Sequence, residues 1–111
     1  MDKVSHVHEA LKPIGLSVTH IVRPPNLPGL SFHFYDMRPS LYGDGKVKRR
    51  ECNCRVEIWT TNGESKEFPE KIRQSMRKAG FRPTVEGHEI ERYAGVYSEA
   101  LTFYIEYEAE E

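Results

Sequence analysis

Cysteine is nearly missing from this chain. Its 111 residues hold two, Cys52 and Cys54, separated by a single residue. A structural zinc site takes about four ligands, usually as two pairs with roughly two to four residues inside each. Here there is one pair at a tighter spacing, and His6, His8, His20, His33 and His88 are scattered without a ligand spacing near it. On an extended strand, residues i and i+2 point the same way about 7 Å apart. That is too far for a relaxed disulfide, whose Cβ atoms approach to about 4 Å. The pair reads as two small apolar side chains on a buried strand face, and no metal or cofactor is expected.

Other absences narrow the function. No run of about eighteen consecutive apolar residues occurs, so no membrane-spanning helix is expected. The opening stretch MDKVSHVHEALKPIG has an early acid, two histidines and a proline, and lacks the apolar run of a secretory signal. Synthesis in the cytoplasm, with both thiols reduced, is the expectation. Charge of one sign is also missing: 16 Lys and Arg stand against 17 Asp and Glu, a formal net charge of −1. A dedicated polyanion binder is usually basic overall. There is no G-x-S-x-G elbow, no phosphate-binding Walker loop and no H-E-x-x-H. Glu89 and Glu91 lie beside His88 in a polar run that reads as a solvated strand face. No enzymatic activity is expected.

What is present is one domain's worth of alternating elements. Val4, Val7, Leu11 and Ile14 recur at spacings of three and four, the mark of a short amphipathic helix, with Asp2 or Ser5 to cap it and Pro13 and Gly15 to end it. LSVTHIV, 16–22, alternates as a strand. RPPNLPG, 23–29, is a wide connection that prolines bar from helix or central strand. LSFHFYDM, 30–37, is a second strand. Cys52, Cys54, Val56 and Ile58 share one parity against Glu51, Asn53, Arg55 and Glu57, which predicts a central strand with one buried face. Trp59 falls on its polar side, and Asn62-Gly63 turns the chain.

Residues 69–79 predict the second helix. Pro69 suits its first position, Ile72, Met76 and Ala79 form its buried stripe, and Gly80 stops it. One short strand is expected near 82–92. The last strand would turn Leu101, Phe103, Ile105 and Tyr107 inward and Thr102, Tyr104, Glu106 and Glu108 outward. The predicted fold is a single α+β domain over 1–111, in the order α-β-β-β-α-β-β. A mostly antiparallel sheet of about five strands would carry both helices on one face.

Between the second and third strands, RPSLYGDGKVKRR, 38–50, reads as a long loop with a Gly43-Asp44-Gly45 turn and the basic cluster Lys46, Lys48, Arg49, Arg50. A long loop in a small domain tends to carry function. Tyr35, Tyr42, Trp59, Tyr93 and Tyr97 are of the residue types enriched at interfaces.

The run RRECNCRVEIWTTNGESKEFPEKIRQSMRKAGF (49–81), followed by Glu91 to Tyr107, resembles the small tail-completion proteins of long-tailed phages and prophages, also described as tail terminators or head–tail joining proteins. The likeness lies in the strand Val56-Glu57-Ile58-Trp59-Thr60, the polar turn, the helix ending in Gly80-Phe81, and the final strand. Val4 to Tyr35 fits the same plan. The resemblance implies a non-enzymatic ring, commonly a hexamer, that terminates the tail tube and docks to the head connector. The implied partners are copies of itself, a tail tube protein, a head-connector protein, and DNA passing without sequence-specific contact. The implied location is the virion tail, after synthesis in the bacterial host. On this reading Tyr42, Asp44, Lys46, Lys48, Arg49, Arg50 and Trp59 belong to the subunit or partner interface. Glu106, Glu108, Glu110 and Glu111 are candidates for a lumen that repels DNA. The alternative is a small nucleic-acid-binding module that uses the basic residues 46–50 to track phosphates.

Overall fold

The alternation around Cys52 and Cys54 belongs to the central strand of one sheet. The computed structural model describes residues 2–61, 66–87 and 89–108. Along the chain stand helix α1 (Lys3–Leu11), a 3-10 turn (Lys12–Ile14), strands β1 (Ser17–His20), β2 (Gly29–Gly43) and β3 (Lys46–Thr61), helix α2 (Phe68–Lys78), and strands β4 (Arg82–Glu86), β5 (Ile90–Tyr93) and β6 (Val96–Glu108). The strand order is β1-β2-β3-β6-β4, with β5 also paired to β6. Only β1 and β2 run parallel. The predicted α+β class and mostly antiparallel sheet are what the chain forms.

Both helices begin and end where the side chains dictate. A carboxylate oxygen of Asp2 accepts the Ser5 backbone N–H at 2.8 Å, capping α1. Pro69 stands in the first turn of α2. At the other end Gly80 takes φ 95°, the Gly80 N–H donates to the Arg77 carbonyl at 3.0 Å, and the Phe81 N–H donates to the Met76 carbonyl at 2.9 Å. That pair of bonds is a Schellman closure, and it folds Phe81 back into the core.

Val7 and Leu11 from α1 and Ile72 and Met76 from α2 cover one sheet face. There they meet Leu30, Phe32, Cys54, Val56, Ile58, Leu101 and Phe103. Burying a large apolar side chain fully contributes roughly 1.5–3 kcal/mol. This layer therefore outweighs anything the charged surface supplies.

Two details differ from the sequence expectation. The region 82–92 holds two strands, because the Gly87 N–H donates to the Ala100 carbonyl at 2.8 Å and a Cβ at Gly87 would sit 2.4 Å from that oxygen. Thr102 is buried although its parity is outward, since β6 runs between β3 and β4 at that level. The predicted turn at Asn62-Gly63 lies outside the described residues.

The largest difference is at 38–50, which is not a loop. Residues 38–43 continue β2 and residues 46–50 begin β3, leaving only Asp44 and Gly45 as the turn. Both have positive φ, 53° and 72°, as a two-residue hairpin turn that follows the strand twist requires. Two features hid the strand. Asp36 sits at φ 52° in a bulge between the Tyr35–Asn53 and Arg38–Glu51 pairs, and further register shifts follow at Pro39/Leu41 and Leu41/Tyr42. Each shift breaks the period-two pattern from which a strand is read.

Candidate assembly surface

A strand of sixteen residues extends on the order of 50 Å, and β3 has that length in a molecule measuring 53 × 23 × 22 Å. The buried layer under the helices is centred on residues 30–34, 54–58 and 101–103. Beyond that layer, β2 and β3 run on as an arm, flanked among the described residues by β6 up to Glu108 opposite Arg49.

The arm is braced within the subunit. Arg38 Nε lies 3.2 Å from a Glu51 carboxylate oxygen. The Tyr104 hydroxyl donates to the other Glu51 oxygen at 2.7 Å. One row over, Glu106 Oε2 accepts from the Ser40 hydroxyl at 3.1 Å and lies 3.6 Å from Arg49 Nε. Glu106 is held below the usual carboxylate range, first by the Ser40 hydrogen bond and then by Tyr104 and Arg49. Arg49 and Glu106, expected at a neighbour's surface and in a lumen respectively, therefore meet each other. Glu108 is exposed at the end of β6, and Glu110 and Glu111 lie outside the described residues.

The other basic residues divide by strand alternation. Lys46, Lys48 and Arg50 share parity with Cys52 on the helix side, whereas Arg49 takes the opposite face. The Lys48 stem lies across Gly43, where a Cβ would come within 3.0 Å of its Cε. Arg50 lines a cleft of about 430 Å³ under the start of α1, together with Lys3, Met37, Phe81, Ile105 and Tyr107.

Tyr42 is 65% exposed near the tip, two residues before Asp44 begins the turn. Trp59 is at the far end of β3. It is half-buried, donates its indole N–H to the Ser31 hydroxyl at 2.8 Å, and carries the Arg92 guanidinium over its ring. Trp59 is thus not brought to the arm with the other predicted interface residues.

Pattern reading missed Met37 and Leu41. Both are exposed on the arm: Met37 borders the cleft under α1, whereas Leu41 and Tyr42 pair with Arg49 and Val47 on the opposite face. The signal was the pair of apolar residues flanking Pro39, which reads as loop filler until the strand is known.

Cys52 and Cys54 are both free and buried. Burial raises both thiols above their ordinary range, and the neighbouring Cys52 adds to the effect at Cys54. A thiol held protonated in an apolar layer is a poor nucleophile and a poor ligand. No group of three or more His, Cys, Asp or Glu among the described residues is placed to hold a metal ion. Glu89 and Glu91 are exposed on and beside β5, and His88 lies outside the described residues. Among the described residues no helix is long and apolar enough to cross a membrane.

No family model matches the chain, and no curated protein matches it.

Proposed function

We propose that this chain is a non-enzymatic structural protein of a phage or prophage tail. It would form a ring, commonly a hexamer in the family it resembles, that terminates the tail tube and joins it to the head connector, with DNA passing through. The observation that carries this reading is the arm. A domain with a completed core extends β2 and β3 past it and exposes Met37, Leu41 and Tyr42 there. Exposed apolar residues gathered on a projection fit a surface that a partner covers.

The arm's bracing supports the same reading. Ion pairs and hydrogen bonds joining Arg38, Glu51 and Tyr104, and Ser40, Arg49 and Glu106, hold the projection in shape before any partner arrives. Preorganisation of this kind lowers the ordering cost of docking. The resemblance of residues 49–108 to tail-completion proteins supplies the kind of assembly.

The test is loss of the gene from its phage or prophage, followed by electron microscopy of lysates. The reading expects separate filled heads and unjoined tails, or tails of uncontrolled length. Normal joined particles would reject it.

A further inference from the structure

Both helices pack on the sheet face that carries Cys54, Val56 and Ile58. Among the described residues the opposite face carries no helix. One cross-strand row in its middle runs Tyr35, Asn53, Tyr104, Arg82 over β2, β3, β6 and β4. In the next row Arg55 stands between His33 and Thr102. The Arg55 guanidinium lies 5.5 Å from the centre of the Tyr35 ring, and the Arg82 guanidinium lies 4.7 Å from the centre of the Tyr104 ring. Tyr35 and Tyr104 are two strand spacings apart, which puts the two guanidiniums on the order of 10 Å from one another, on either side of Asn53.

These donors have no acceptor within the subunit. Among the described residues neither guanidinium has a carboxylate at ion-pair distance, and neither they nor the Asn53 amide makes a side-chain hydrogen bond. The carboxylates nearby are engaged elsewhere. Glu51 is held by Arg38 and Tyr104, and Glu57 by Arg92. Glu106, which shares a shallow hollow with Arg82, is held by Ser40 and Arg49. Asn53 is half-buried, and a polar side chain so placed is usually hydrogen-bonded. The two tyrosine rings orient the guanidiniums, so less freedom is lost when a partner arrives.

We propose that this row is the docking site for an acidic segment of a partner protein, an extended stretch with two carboxylates about three residues apart. Each guanidinium takes one carboxylate through a two-pronged pair. The Asn53 amide hydrogen-bonds the peptide groups between them. Three residues of extended chain span about 10 Å, which matches the separation of the two arginines. A nucleic acid fits this face less well. Asp36, Glu51, Glu57, Glu106 and Glu108 border the row. A backbone with a phosphate on every nucleotide would cross those fixed carboxylates, whereas a peptide sets uncharged residues over them. The rings of Tyr35 and Tyr104 already carry guanidiniums and are not open shelves for bases. The site is separate from the arm tip and does not depend on the tail reading.

The experiment is an NMR titration of the isotope-labelled full chain with a blocked peptide containing Glu-Gly-Gly-Glu. The expected result is saturable shifts at the Asn53 side-chain amide and at the Arg55 and Arg82 Nε–H groups, and none with the Gln-Gly-Gly-Gln counterpart. Arg55→Gln with Arg82→Gln should weaken binding by about tenfold or more. Lys71→Gln with Arg77→Gln removes two exposed cations from α2 and should leave binding unchanged. All four positions are exposed, and urea unfolding of each double variant checks that it is folded. No saturable shift, shifts away from this row, or equal weakening by both double variants overturns the site. A single-stranded oligonucleotide that moves the same signals more strongly than the peptide overturns the acidic-segment assignment.

Discussion

The Tyr104 hydroxyl donates to Glu51 at 2.7 Å across the seam between β6 and β3, where the arm leaves the core. That hydrogen bond to a carboxylate, reinforced by burial and by Glu106, pushes the Tyr104 phenol up to about 12. The unfolded value is about 10. A group whose folded pKa is raised stabilises the fold fully below its unfolded value and loses that contribution as pH rises through the folded one. Tyr104→Phe is therefore expected to lower stability by about 0.5–1 kcal/mol at neutral pH, the lower range for one partly exposed hydrogen bond. The gap between the two proteins should stay constant below about pH 10 and close as pH approaches about 12. Urea unfolding across that range measures it, and a gap that widens with pH contradicts the assignment.

Cys54 lies in the sealed layer under the helices, with no exposed surface. Cys54→Ser places a hydroxyl inside the buried apolar cluster, and is expected to cost about 1–3 kcal/mol. Chelators and reductants should leave the melting temperature of the native protein unchanged. A marked fall with either reagent would show that the thiols hold a metal or a bond.

Reversing Lys46 and Lys48 to glutamate should leave the unfolding midpoint within about 0.5 kcal/mol of the native protein, as for exposed positions generally. Self-association seen by light scattering should be lost. The native protein should give no mobility shift with DNA or RNA even at low salt. A shift that weakens steeply with salt would instead favour the nucleic-acid reading.

Neutralising Glu106, Glu108, Glu110 and Glu111 together should keep the fold and change particle assembly or DNA passage, because like charge is what keeps DNA from adhering to a lumen wall. An unchanged infectious titre from the variant phage contradicts a lumen role for these acids. Glu106 is the informative member, because it also braces Ser40 and Arg49 on the arm. Glu106→Gln alone removes one of these charges and the ion pair with Arg49 while keeping an oxygen that can accept from Ser40, so it separates that ion pair from the effect of the whole acidic set.

The framework was legible where one physical rule acts alone. Cys52, Cys54, Val56 and Ile58 announce a half-buried strand by parity, and Pro69 and Gly80 bracket a helix through their backbone preferences. The arm was illegible because Asp36 at positive φ and the register shifts beyond Pro39 break that parity. A two-residue turn at Asp44-Gly45 then looked like part of a long loop. β5 was merged with β4 because the need for glycine at position 87 arises from Ala100, a contact across the sheet that local sequence cannot announce. For the same reason the sequence could group the basic residues 46–50 but could not show that Arg49 is engaged by Glu106, or that Met37 and Leu41 are exposed on the same arm as Tyr42.

The central claim is that the arm is a surface for joining tail to head. The most direct measurement is rescue in vitro. Lysate lacking this protein, with filled heads and free tails, is supplied with purified native chain or with a chain carrying Leu41→Asp and Tyr42→Asp. The account predicts infectious particles from the native protein and none above background from the variant, with the two proteins equally stable in urea. No rescue by the native protein, or equal rescue by both, contradicts it.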